Sequence, residues 1–146
     1  MNHTATDVIF SQLVRERAGW RCENCYQSYA NNHGGLDCSH FVGGNRGKVS
    51  TRFYPQNACA LCRACHDKLG VDKKRHEAFM ETYLEKHYPP GAVEALRLRQ
   101  AKIVKLSAPE RRDVMASLKS SLTWMLRQRA EGAEGRLEFD SPYGVE

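Results

Sequence analysis

Apolar positions open the chain at helical spacing. Val8, Ile9, Leu13 and Val14 share one face, which predicts a helix over 6–18 with Thr6 as its cap and Gly19 as its stop. The stretch from Tyr26 to Gly35 is polar and rich in Asn and Gly, and reads as a loop. Leu36 to Phe41 reads as a short strand, and residues 43–47 are too glycine-rich to be regular. Val49 to Phe53 is expected to return as a second strand, stopped by Pro55. A helix is expected from Asn57 to Leu69. Beyond Gly70 the pattern is helical throughout. Phe79, Met80, Tyr83, Leu84, His87 and Tyr88 form one face, broken by Pro89-Pro90-Gly91. Val93, Leu96, Ile103 and Leu106 mark a second helix. A capping box at Ser107–Glu110, with Pro109 inside it, opens a third, whose buried stripe is Val114, Leu118, Leu122, Met125 and Leu126. From Glu131 the chain turns acidic and is expected to fray.

The pattern therefore predicts an α+β chain with an N-terminal helix, a small strand-bearing core over 1–72, a helical extension over 73–130 and an acidic, flexible tail over 131–146. No apolar run reaches the length of a membrane span, and no signal peptide is evident, so the expected location is the cytoplasm. The net charge of +5 is unevenly spread. Residues 38–75 carry eight Lys/Arg against two Asp, whereas residues 130–146 carry five acids against Arg136. Basic charge gathered in mid-chain suits a phosphate-binding face, with a solvated lysine-rich surface as the alternative.

The cysteines sharpen the picture. Cys22 and Cys25 form one C-x-x-C pair and Cys62 and Cys65 a second, with 36 residues between the pairs. In a reducing compartment two such pairs supply four thiolates for one structural Zn²⁺. A plain zinc ribbon spaces its pairs about 15–20 residues apart, so this knot carries an insert. Cys38 and Cys59 lie outside the pairs and are expected to be small buried hydrophobes.

The insert holds Asp37-Cys38-Ser39-His40-Phe41 and Asn57, and His66 directly follows Cys65. Phosphodiester hydrolysis needs a base near neutral pH, a divalent cation and a scaffold that holds both in register. His40, at a strand end before the glycine-rich loop, is the candidate base. His66, anchored beside a zinc ligand, is the candidate ligand for a catalytic metal. Asn57 is placed to pin the loop or to orient His40. Asp37 is the nearest carboxylate for that metal, although an i, i+3 pair in a regular strand faces opposite sides, and a structural role in the turn stays open. Arg46, Lys48 and Arg52 lie between the base and Asn57 and are candidate phosphate contacts, with Arg52 foremost.

These motifs resemble the HNH (His-Me finger, ββα-metal) endonucleases. Arg17-Ala18-Gly19-Trp20-Arg21-Cys22-Glu23-Asn24-Cys25 is similar to that family's basic helix end and first knuckle, and Asn57 to Lys68 to its N-x-x-x-L-C-x-x-C-H-x-x-K. With Arg52-Phe53-Tyr54-Pro55-Gln56-Asn57 and Asp37 to Phe41, the chain looks most like phage NinG (Rap-type) recombination nucleases. The likeness is strong over 15–70 and weak to about residue 125. It implies a zinc-stapled ββα-metal core and hydrolysis of DNA to 5′-phosphate and 3′-hydroxyl ends. It also implies a catalytic Mg²⁺ or Mn²⁺, His40 as base, and Lys68 among the DNA contacts. One departure stands out: many members place Asp or His directly before the base, and this chain has Ser39. The expected partner is DNA, branched recombination intermediates in a phage or prophage setting. A zinc-stapled DNA-binding module without activity and a nuclease of a phage packaging system are the alternatives. The stripe of Leu118, Leu122 and Met125 leaves a homodimer and a monomeric helical cap equally open.

Overall fold

The computed structural model describes residues 4–43 and 48–144. Helix α1 spans Ala5–Arg17 and strand β1 spans Leu36–His40. A short helix α2, Val49–Arg52, precedes strand β2, Ala58–Cys62, and helix α3, Arg63–Gly70. Three further helices follow: α4 Lys73–His87, α5 Ala92–Ala101 and α6 Ala108–Ala130. Strands β1 and β2 pair antiparallel, with Leu36 opposite Cys62 and His40 opposite Ala58. The architecture is α+β, a small antiparallel sheet among helices. No helix among the described residues is long and apolar enough to cross a membrane.

The strand and helix over 49–69 differ from the expectation. Val49 to Arg52 is a helical turn, and the second strand is Ala58–Cys62 instead. Every residue of β2 is buried, so the run Ala-Cys-Ala-Leu-Cys has no alternation to betray a strand. Its small side chains let the α1 and α3 helices pack close on it. The β-branched residues at 49 and 51 favour strand by propensity, but the register opposite β1 is already filled. Helix α1 begins one residue early: Thr4, not Thr6, is its cap, in a box with Asp7. Helix α5 ends at Ala101, which leaves Ile103 90% exposed rather than on a helical stripe.

The helical extension and the core share one interior. Met80, Tyr83, Leu84 and Leu96 are buried in the same cluster as Cys22, Leu61, Cys62 and Cys65. Val114, Leu118 and Met125 of α6 are buried with Phe10, Leu13 and Val14 of α1. Leu118 and Met125 of the α6 stripe are therefore covered within the chain, whereas Trp124 and Leu126 of the same helix are exposed. The segment expected to fray is also built in. Phe139 and Tyr143 are buried, the Leu137 N–H donates to the Arg17 carbonyl at 3.2 Å, and Phe139 meets Phe10 edge-on at 6.0 Å. Its acidic residues had suggested solvent; the aromatics between them decide the outcome.

A charged network fastens these parts. Arg17 is fully buried and donates to the carbonyls of Pro55 (2.8 Å) and Ala58 (2.5 Å), to the hydroxyls of Tyr88 (3.2 Å) and Tyr83 (3.1 Å), and to Glu138 (3.3 Å). Arg136 bridges Glu23 at 2.9 Å and Glu138 at 3.0 Å. His87 lies 4.0 Å from Glu23, whose carboxylate is already engaged by Arg136 and by the Ala60 N–H. Burial, then the Arg136, Lys86 and Arg17 charges, pull the His87 pKa down to about 4. The folded protein thus keeps His87 neutral while the unfolded chain takes up a proton near pH 6.5. Between about pH 6.5 and 4 the unfolded state binds more protons, so stability falls as pH falls through that window. A His87→Gln protein is expected to lose about 2 kcal/mol less than the parent between pH 7 and pH 4.5, read from paired urea unfolding curves.

Candidate metal centre and active site

The four paired cysteines meet in space. Cys22 and Cys25 sit in the turn after α1, where the Tyr26 N–H closes back on the Cys22 carbonyl at 2.8 Å. Cys62 ends β2 and caps α3, and Cys65 lies in the first turn of that helix. All four sulfur atoms lie within 4.8 Å of one another, and Cys25 and Cys62 are 3.9 Å apart. Zinc–thiolate bonds of about 2.3 Å in a tetrahedron set sulfurs about 3.8 Å apart, so the cage fits one Zn²⁺. All six cysteines are free thiols. The Cys25 N–H reaches Cys22 Sγ at 3.5 Å and Asn24 Nδ2 reaches Cys65 Sγ at 3.2 Å, so both sulfurs accept a hydrogen bond from the turn that carries the first pair. Cys59 is fully buried, and burial pushes its thiol well above the usual range; Cys38 is half-buried.

A cavity of about 500 Å³ opens beside this knot, lined by Asp37, His40 and His66 together with Asp7, Phe10 and Arg15. His40 at the end of β1 stacks on Phe10, with ring centres 5.7 Å apart. Its Nε2 lies 2.9 Å from the Arg52 carbonyl. A carbonyl only accepts, so Nε2 carries the proton and a neutral His40 has its basic lone pair on Nδ1. His66 Nδ1 lies 3.1 Å from Asp37 Oδ2. By the same reasoning a neutral His66 keeps its lone pair on Nε2, and a carboxylate behind an imidazole is the usual support for a metal-ligating His. Asp37 also accepts two bonds from Arg63, at 2.8 and 3.0 Å. Burial pushes the Asp37 carboxyl up, but the hydrogen bonds from Arg63 and His66 outweigh it and hold the group below the usual range. Although Asp37 and His40 stand three residues apart on β1, both line the one cavity.

Asn57 is fully buried and acts as a clamp. Its Oδ1 accepts from the Val42 N–H at 2.9 Å, and its Nδ2 donates to the carbonyls of Val42 (2.9 Å) and Thr51 (3.1 Å). It ties the end of β1 to α2, one residue before Arg52. Of the two expected roles, these bonds fulfil the pinning of the loop; the group that meets the His40 ring is the Arg52 carbonyl.

Arg52 itself departs from the expectation. Its guanidinium is buried and bonded twice to Asp7, at 2.8 and 2.5 Å, so it is a structural ion pair and not a phosphate contact. Burial pushes the Asp7 carboxyl up, yet the Arg52 bond and the Thr4 cap hold it at about 2. The Asp7 carboxylate thus serves the helix cap and Arg52 at once. Lys48 is exposed and donates to the Gln100 carbonyl at 3.2 Å. Lys68 is exposed on α3. Arg46 lies outside the described residues.

Three site residues escaped the sequence reading. Asp7 and Arg15 sit on the α1 face turned to the cavity, and Arg63 stands beside Asp37 across the sheet. The one available signal was for Arg63: its place between Cys62 and Cys65, in the first turn of the helix that carries the second cysteine pair, fixes its position as firmly as that of His66. Comparison with family models, with curated proteins and with solved structures finds no match to this chain.

Proposed function

We propose that this chain is a metal-dependent DNA endonuclease of the HNH (His-Me finger, ββα-metal) type. The observation that carries the reading is the convergence of His40, Asp37 and His66 on one cavity, above a strand–strand–helix unit pinned by four cysteines. His40 would take the proton of the attacking water at Nδ1 while the Arg52 carbonyl steadies its Nε2–H. His66 would hold a Mg²⁺ or Mn²⁺ through Nε2, and Asp37, bonded to Nδ1 on the far side of the ring, would orient it. Such an ion supplies neutralisation of charge on the phosphorane and on the leaving 3′ oxygen. The products would carry 5′-phosphate and 3′-hydroxyl ends. Branched recombination DNA, in a phage or prophage setting, is the substrate we favour over linear DNA cut during packaging.

The two-point bond between Arg63 and Asp37 favours a second reading, a zinc-stapled DNA-binding module whose metal site is plugged by a guanidinium. Plasmid nicking with Mg²⁺ or Mn²⁺ separates the two. The parent protein should nick, and His40→Ala should lower the rate roughly 10²–10⁴-fold while Mn²⁺ binding, followed by electron paramagnetic resonance, stays near the parental level. His66→Ala should weaken Mn²⁺ binding itself. Parental nicking by His40→Ala would remove His40 as base, and a parent that binds DNA without nicking it would leave the module reading. Branched against linear substrates then decides between the recombination and packaging roles.

A further inference from the structure

The charges around the cavity are paired, with one exception. Asp7 is held by Arg52, and Asp37 by Arg63 and His66. Arg15, in the last turn of α1, lines the same cavity and has no carboxylate partner among the described residues. Its guanidinium is nevertheless fixed. Nε donates to the Ser11 carbonyl at 3.1 Å, Nη1 donates to the His33 carbonyl at 3.4 Å, and the group lies 4.8 Å from the centre of the Trp20 ring.

Trp20 reaches that place at a cost. It follows Gly19 (φ 65°) and adopts φ 59° itself, a left-handed conformation that disfavours a bulky side chain by about 1–2 kcal/mol. Local bonds hold the strained turn closed. The Trp20 N–H donates to the Arg15 carbonyl at 3.0 Å, its carbonyl accepts from Tyr29 at 2.7 Å, and its indole Nε1 donates to Glu16 at 2.6 Å. His33 stacks on the indole at 3.4 Å with the rings 5° from parallel. What this strain achieves is to fold an aromatic face back against the end of α1, under Arg15. The strained residue does not itself line the cavity; it stands behind Arg15 and supports a cation that has no carboxylate partner among the described residues.

We propose that Arg15 is the phosphate anchor of the cleft: it binds a backbone phosphodiester of the nucleic acid next to the cut, in the role that the buried Arg52 does not fill. This rests on the nuclease reading. Nη2, which bonds none of the described residues, and the second hydrogen of Nη1 are the donors for non-bridging phosphate oxygens. Such a contact carries no base information, so it sets the register of the strand and not the sequence cut.

The test uses the full chain, zinc-loaded, with His40→Ala to prevent cleavage, and a fluorescently labelled DNA duplex titrated over a series of salt concentrations. Adding Arg15→Gln should weaken binding roughly tenfold at low salt, equally for unrelated sequences, and lower the salt slope by about one. Adding Arg15→Lys instead should keep the slope, because the charge remains, and lower affinity less. An Arg15→Gln slope equal to that of the His40→Ala protein overturns the inference while leaving the nuclease reading standing. So does an Arg15→Lys slope as low as that of Arg15→Gln, since a merely structural role would respond to both. If the His40→Ala protein binds no DNA at any salt, the nuclease reading falls and the anchor with it.

Discussion

A Cys65→Ser protein is expected to lose its zinc and to unfold in the region of β1, β2 and α3. The reason is geometric. Cys22 and Cys25 lie in an irregular turn, and Cys62 and Cys65 straddle the junction of β2 and α3. A two-stranded sheet is at best marginal by itself in water, so an ion held by the four sulfurs would join turn, strand and helix. Structural zinc sites contribute about 10–16 kcal/mol of apparent binding free energy, which equals or exceeds the whole stability of an ordinary domain. The measurements are zinc content by mass spectrometry under native conditions and thermal unfolding followed by circular dichroism. A Cys65→Ser protein that retains one zinc per chain and melts with the parent would refute the tetrad as a metal site. Chelation of the parent should reproduce the unfolding, and added Zn²⁺ should reverse it.

The second large effect is expected at Arg17, far from any proposed chemistry. Replacing Arg17 with Met removes the donors to the Pro55 and Ala58 carbonyls, to two tyrosine hydroxyls and to Glu138. Glu138 is 42% exposed at its side chain and can turn to water, but the two carbonyls are buried with nothing to replace the guanidinium. Breaking one partner of a buried charged cluster costs about 3–5 kcal/mol. For a chain of this size that lowers the melting temperature by roughly 10–20 °C. The Arg17→Met protein should keep its zinc, since Arg17 donates to no cysteine sulfur; scanning calorimetry on zinc-loaded samples checks the shift. A change of only a degree or two would mean that water satisfies those carbonyls.

Much of the scaffold could be read before any coordinates. The cysteine spacing predicted the cluster, the Pro-Pro-Gly break after α4 and the Ser107 capping box fixed helix ends, and the strand expected over Leu36 to Phe41 is found at Leu36–His40. The second strand was not legible, because Ala58 to Leu61 is apolar at every position and a run buried on both faces carries no period. The role of Arg52 was hidden for a different reason. Its partner, Asp7, lies 45 residues away on another element, and a basic residue near a candidate base looks like a phosphate contact until that partner is seen. Arg15 failed in the opposite sense. Nothing in the sequence pattern singles it out, and its setting depends on a left-handed Trp20 that no pattern announces. The aromatic pair Phe139 and Tyr143 was masked by the acidic residues around it.

The placing of Tyr143 has a consequence for how the protein matures. Its hydroxyl donates to the Val49 carbonyl and accepts the Phe53 N–H at 3.0 Å, so it grips both ends of the turn whose Arg52 carbonyl steadies His40. Every cysteine and histidine assigned to the site leaves the ribosome well before it. A nascent chain interrupted at residue 136 therefore holds all of those groups and still lacks the brace behind His40. Ribosome-bound or truncated chains would carry zinc before they carry a well-aligned base, and competence would arrive as a late event in synthesis, set by a residue that takes no part in the chemistry.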